Sequence, residues 1–198
     1  MKTIALGILA MSFALSAQES HPSCNHCSAT FVDSSELQAY LKRVPPATGV
    51  SDQQVRAADV GKSHVDIGVV YRGKLTGNPV AAEHDLVSEV YYVLDGSATL
   101  VTGPDVEGLK RRSPDDWAVK MLNGPGGNGT SIRNGVVHEL KAGDMVIIPA
   151  GTGHWFTKID DHIQYVMVRI DPDKVTPLKD KAASDADLKA GFAAGNRK

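Results

Sequence analysis

The chain has 198 residues, with 21 Lys plus Arg against 23 Asp plus Glu, 42% hydrophobic and 22% charged positions. That composition supplies one globular core with attachments and excludes disordered, collagen-like, coiled-coil and multi-span membrane classes. A formal net charge of −2 leaves no clustered basic surface to displace counterions from phosphates, so nucleic acid is not an expected partner.

Met1-Lys2-Thr3, the apolar run Ile4 to Leu15 and the small residues Ser16 and Ala17 read as a secretory signal peptide over residues 1–17. The run is shorter than the roughly 20 residues that cross a bilayer as a helix. A secreted or periplasmic protein with no stable membrane anchor is therefore expected. An N-terminal arm, 18–59, follows. Its Cys24 and Cys27 suit a local disulfide, or a reduced pair in a flexible arm. A redox dithiol lacks a strand–helix context, a haem site would need His where Ser28 stands, and a metal cluster with His21 and His26 has no second half. Asp33-Ser34-Ser35-Glu36 gives a polar cap to a short helix through Leu37, Tyr40 and Leu41 that stops at Pro45-Pro46.

Strands then run from about residue 60 to 171. Val65 to Tyr71, Glu89 to Leu94, Ala98 to Thr102, Val136 to Leu140, Met145 to Ile148, His154 to Thr157 and Ile163 to Ile170 are the clearest, with turns at Asp95-Gly96, Ala142-Gly143-Asp144 and Asp160-Asp161. Many short strands punctuated by Gly and Asp indicate an antiparallel sandwich or barrel. Residues 103–135, rich in Gly and Pro, read as a long loop whose Trp117, Met121 and Leu122 suit packing over a barrel mouth, an oligomer contact or plain surface packing. Arg111-Arg112 reads as a solvated turn, and Asn128-Gly129-Thr130 as a chance match to a glycosylation acceptor. The tail, 172–198, reads as a short exposed helix ending near Gly195.

Two segments carry chemistry. In the first, His84, four residues, Glu89, six residues and Gly96 stand in order; in the second, Gly143, five residues, Pro149, one residue, Gly151, two residues and His154. Alternation places Glu89, Tyr91 and Val93 on one strand face. An inward carboxylate there needs a partner. His84 lies an odd offset from Glu89, so the two share a face only if Asp85 to Ser88 breaks the strand. Gly143-Asp144 suits a tight turn, Pro149 ends ladder pairing, and the glycines let the chain turn so that His154 opens a new strand.

Together these segments resemble the two signature motifs of the cupin superfamily, over roughly residues 60–171. The resemblance implies an all-β fold, a small antiparallel double-stranded β-helix (jelly-roll) barrel with short helical extensions at both ends. It also implies metal ligands, two His and one Glu from the first motif and one His from the second. Matched residue by residue, these are His84, Glu89 and His154, with Ala82 standing where the first His is expected. Glu83 is a poor replacement because it should face the other way. The remaining trio suits a divalent ion of the iron, manganese, zinc or nickel kind with open positions.

The leading expectation is an exported, metal-dependent enzyme acting on a small polar organic molecule by oxygenase, isomerase, decarboxylase or lyase chemistry. Glu89 and Tyr91 are its candidate catalytic residues. The alternatives are a metal-free binder of a small molecule, favoured by Ala82, and a non-catalytic barrel that forms a homodimer through strand pairing or exchanged arms. His64, Asp66 and Arg72 alternate along an earlier strand and offer a further site residue. His138 suits a core or rim position, His162 an exposed turn, and Trp155 and Phe156 opposite faces.

Overall fold

The computed structural model describes residues 21–24, 27–43 and 49–191. The leader reading, His26, Pro45-Pro46 and Gly195 lie outside the described residues. In chain order the elements are helix α1 (Ser34–Leu41), strands β1 (Val50–Asp59), β2 (His64–Gly73), β3 (Ala81–His84), β4 (Ser88–Gly103), β5 (Val106–Glu107) and β6 (Lys110–Arg111), then a π-helical turn (Val119–Asn123). Strands β7 (Gly126–Gly129), β8 (Ser131–Ile132), β9 (Val136–Lys141), β10 (Met145–Ile148), β11 (Gly153–Lys158) and β12 (His162–Asp171) come next, and helix α2 (Lys181–Ala190) ends the described chain. No helix among the described residues is long and apolar enough to cross a membrane.

The fold is all-β, an antiparallel sheet curled into a half-barrel in the order β1-β2-β12-β4-β11-β3-β7-β6, with β9 and β10 also paired to β4. Strand β4 is the hinge of this arrangement. Its first half pairs with β12 and β10, its second with β11 and β9. Asp95-Gly96 is therefore a bend within one strand and not the turn its sequence suggests. Gly96 has φ of 78°, and a Cβ there would lie 2.1 Å from the His162 carbonyl oxygen, so only glycine lets the strand pass between the two walls. Between them Tyr91, Val93, Leu100, Phe156, Tyr165 and Met167 form the main buried cluster.

Three expectations need correction. Residues 50–59, read as part of the arm, form β1 along the whole of β2. Their polar side chains hid the strand, because Gln53, Gln54 and Arg56 are buried with dedicated partners in Tyr40 O, Asp66 and Glu36. The stretch 103–135 is not a bare loop: Gly126–Gly129 is a strand paired with β3. A Cβ on Gly126 would meet the Glu83 carbonyl oxygen at 2.2 Å, so this glycine marks close backbone approach and not chain freedom. Finally, α2 ends at Ala190 and docks on the barrel, with the Ser184 hydroxyl donating to Val55 O and Asp187 accepting from Tyr40 and Lys179.

Asp33 caps α1 by accepting from the Ser35 amide at 2.8 Å. Tyr40 and Leu41 pack with Val55 and Val69, and a buried Arg56–Glu36 pair, in which one guanidinium nitrogen donates to both carboxylate oxygens, joins α1 to β1. Cys24 and Cys27 are disulfide-bonded beside Val60, Val65 and Ile67 of the β1–β2 hairpin.

Candidate metal centre

The break between β3 and β4, residues 85–87, lets His84 and Glu89 share the inner face despite their odd offset. His154, near the start of β11, stands opposite Ala82 in the β11–β3 register, and the Gly151 amide of the preceding turn donates to the His84 carbonyl at 2.7 Å. The second motif's turn is thus tied directly to the first motif's histidine. One donor atom from each of His84, Glu89 and His154 lies within 4.8 Å of the others, and all three residues are buried. His84 Nε2 is 3.5 Å from Glu89 Oε1, His154 Nε2 is 3.9 Å from Oε2, and the two ring centroids are 5.0 Å apart.

Burial holds both imidazoles below their ordinary pKa, against the pull of the Glu89 charge. They are neutral near pH 7, so their approaches to Glu89 are not ion pairs. Burial alone would raise the Glu89 carboxyl, but the charges of His84, Arg169 and His154 and the Tyr91 hydrogen bond lower it; with both rings neutral near pH 7, Arg169 and Tyr91 are the partners that keep it anionic. Two neutral imidazoles and one carboxylate are the protonation state that a divalent ion requires. His154 Nδ1 faces the Thr152 carbonyl at 3.4 Å, which leaves its Nε2 lone pair for a metal.

Around the trio stand residues whose place the sequence did not suggest. Arg169 Nε donates to Glu89 Oε1 at 3.2 Å, and its NH2 reaches Asp52 at 2.6 Å. Its signal was legible: Ile163, Tyr165, Met167 and Arg169 share one face of β12, and an inward cation on an apolar face needs an acid just as inward Glu89 needs a base. Arg112, expected in a solvated turn, is instead partly buried. Its NH1 lies 3.3 Å from His84 Nδ1 and its NH2 donates to Gly127 O and Asn128 Oδ1. Only chain folding through β6 and β7 brings it there. Arg111 does remain exposed, paired with Asp85.

A guanidinium only donates, so Arg112 favours a lone pair on His84 Nδ1 and the proton on Nε2. Ligation through Nε2 therefore asks Arg112 to retreat to its contacts on β7. Apart from that step, the residues fit a three-ligand divalent ion. Ala82, paired across from His154, brings no donor atom to that side of the trio.

Tyr91 is fully buried and donates to Glu89 Oε2 at 2.7 Å. Burial first, then the Glu89 charge, push its pKa well up, so it acts as a donor and not as a base. Of the β2 candidates, Arg72 reaches the site's surroundings, lining with His154 a cavity of about 270 Å³. His64 instead contacts Thr176 O, and Asp66 accepts from Gln54 and Thr176. Glu83 faces away, toward Arg111. His138 is a half-buried rim residue on Thr102, and His162 bridges Asp95 and Asp161. Phe156 points inward, while Trp155 donates to Pro79 O on the other face. Trp117, Met121 and Leu122 line a groove with Pro177, Leu178 and α2, away from the metal site.

No family model matches the chain, and no curated protein matches it. Among solved structures it is similar to the EutQ protein of Clostridium difficile (TM-score 0.37, 13% identity, 63% of this chain and 69% of that one). It is similar also to the DMSP lyase DddQ from Ruegeria pomeroyi DSS-3 (TM-score 0.41, 16% identity, 70% of this chain and 56% of that one). KdgF from Halomonas sp. compares at TM-score 0.40 and 13% identity, over 66% of this chain and 87% of that one. These likenesses concern the β-fold and say nothing about the chemistry of this chain.

Proposed function

We propose that the chain is an exported, metal-dependent enzyme of the cupin kind, in which His84, Glu89 and His154 hold a divalent ion and a small polar organic molecule enters beside His154. The observation that carries this reading is the meeting of three buried donors, two neutral imidazoles and a carboxylate, within 4.8 Å of one another. The ion would supply Lewis-acid or oxygen-activating chemistry. Around it the chain's own groups have distinct tasks. Tyr91 and Arg169 orient Glu89 and keep it charged, the Thr152 carbonyl selects the His154 tautomer, and the buried aromatic wall of Phe156 and Tyr165 limits water. Glu89, held anionic so firmly, is a ligand and a poor proton acceptor, so proton transfer falls to another group.

Export rests on the leader pattern of residues 1–17 and agrees with a Cys24–Cys27 disulfide, which an oxidising compartment preserves. A homodimer rests on the outer face of β10 and β4, where Met145 and Ile147 are 64% and 73% exposed and Met145 lies opposite 45%-exposed Tyr92. Sedimentation analysis of the purified chain tests it: a monomer at tens of micromolar removes that part of the proposal.

The central test is elemental analysis of the protein purified without chelator, beside Glu89→Ala and His154→Ala. Near-stoichiometric iron, manganese, zinc or nickel that disappears in both folded variants is expected. A wild-type chain that retains and takes up no ion would favour the second reading, a metal-free small-molecule binder. Three features speak for that alternative: Ala82, the Arg112 contact on His84 and the Arg169 contact on Glu89.

A further inference from the structure

The cavity beside His154 has a chemistry of its own. It opens between the end of β2, the segment 74–80 and β11, and its lining contains two cations, Arg72 and Lys74, and no carboxylate. Leu75, Val80, Phe156 and Ile159 make most of the remaining wall apolar. At about 270 Å³ it sits at the small end of ligand pockets, which begin near 300 Å³. Lys74 is exposed at the rim, whereas Arg72 is half-buried.

Arg72 is held by two contacts. Its guanidinium carbon lies 4.6 Å from the Phe156 ring centroid, and its Nε donates to the Tyr165 hydroxyl at 3.0 Å. Stacking and the Nε bond fix the plane of the fork. The two terminal nitrogens have no hydrogen-bond or ion-pair partner among the described residues. Asp52, the carboxylate that acts on Arg72 through its charge, is itself bonded to Arg169. A rigid fork with free paired donors, facing an apolar chamber, matches a planar two-oxygen anion. A phosphate dianion would bring twice the charge into a mostly apolar wall and would find only one fixed cation there.

We infer that this cavity binds a small organic monocarboxylate, its carboxylate paired with Arg72 and its carbon skeleton against Leu75, Phe156 and Ile159, reaching toward His154. This deepens the proposed function by naming the substrate class and rests on it only for the chemical step after binding. The recognition stands on Arg72, Lys74 and the cavity walls. Arg72 is a specificity-determining residue, and Lys74 adds long-range attraction at the mouth.

Calorimetric titration of the full chain, as purified and again after chelation, with butyrate and benzoate against butyramide, benzamide and inorganic phosphate tests the inference. The acids are expected to bind at least about tenfold tighter than the matching amides in both preparations. Arg72→Gln should abolish that discrimination, Arg72→Lys should keep part of it, and Lys74→Gln should cost less. Equal binding of acid and amide overturns the inference. So does acid binding that needs the metal and survives Arg72→Gln, or phosphate binding tighter than either acid. If Arg72→Gln does not fold, the wild-type comparison of acid with amide decides alone. Stoichiometric metal without discrimination leaves the metal reading standing and removes this one; discrimination in a chain that takes up no metal does the reverse.

Discussion

Arg169 and Glu89 are register partners across the β12–β4 ladder, and the Arg169 Nε donates to Glu89 Oε1 at 3.2 Å with both residues no more than 2% exposed. The guanidinium is shared with Asp52 at 2.6 Å, so one cation ties β12 to both β4 and β1. It also explains how a carboxylate survives in this interior.

Removing that cation leaves Glu89 charged and buried. Arg169→Ala should destabilise the chain by about 3–5 kcal/mol, read from denaturant melts. Adding Glu89→Gln should recover part of the loss, because the orphaned charge goes with it. A single-variant loss below about 1 kcal/mol would mean that solvent reaches the pair.

Arg112 competes with a metal for His84. Withdrawing its donor from Nδ1 and its positive charge from the neighbourhood should raise metal affinity in Arg112→Ala by about tenfold, the scale of outer-shell effects on metal sites. Competition with a chromophoric chelator measures it. Lower affinity would show that Arg112 supports ligation.

Tyr91 acts in the opposite sense. Tyr91→Phe keeps the ring, whose centroid is 4.4 Å from that of Tyr165, and removes only the hydroxyl that holds Glu89 Oε2. Metal affinity should fall about tenfold to a hundredfold, with a stability loss of about 1–3 kcal/mol from the lost donor to a buried carboxylate, smaller than that of Arg169→Ala. Unchanged affinity would make the hydroxyl a packing feature alone.

Asp66 sets a pH dependence away from the site. Burial, acting against Arg169 and the Gln54 and Thr176 hydrogen bonds, raises its pKa to about 6. A carboxyl whose folded pKa lies above its unfolded value binds its proton more tightly when folded, so stability falls as pH rises from about 4 to 6. The fall attributable to Asp66 is at most roughly 3 kcal/mol. Asp66→Asn should flatten this slope between the two pH values in melts at several pH; an unchanged slope would assign it to other groups.

The residues themselves specified a good part of this protein. The strand alternation behind Glu89 and Tyr91 and the antiparallel all-β class come from periodicity and turn residues, which are local properties; the trio His84, Glu89 and His154 comes from the resemblance of two motifs to the cupin pattern. The need for a break between His84 and Glu89 comes from the period of a strand. What escaped were interactions between distant segments. Strand β1 looked polar because its partners in α1 and β2, Glu36 and Asp66, cannot be read from its own residues. Gly126–Gly129 looked like a loop because the neighbour that demands glycine lies some forty residues away, in β3. Arg112 and Arg169 reach the trio only once distant strands have paired, β6 with β7 and β12 with β4, for a charge becomes part of a site when folding removes the water between it and its partner. Periodicity tells which way a side chain points; only the tertiary structure decides what it meets.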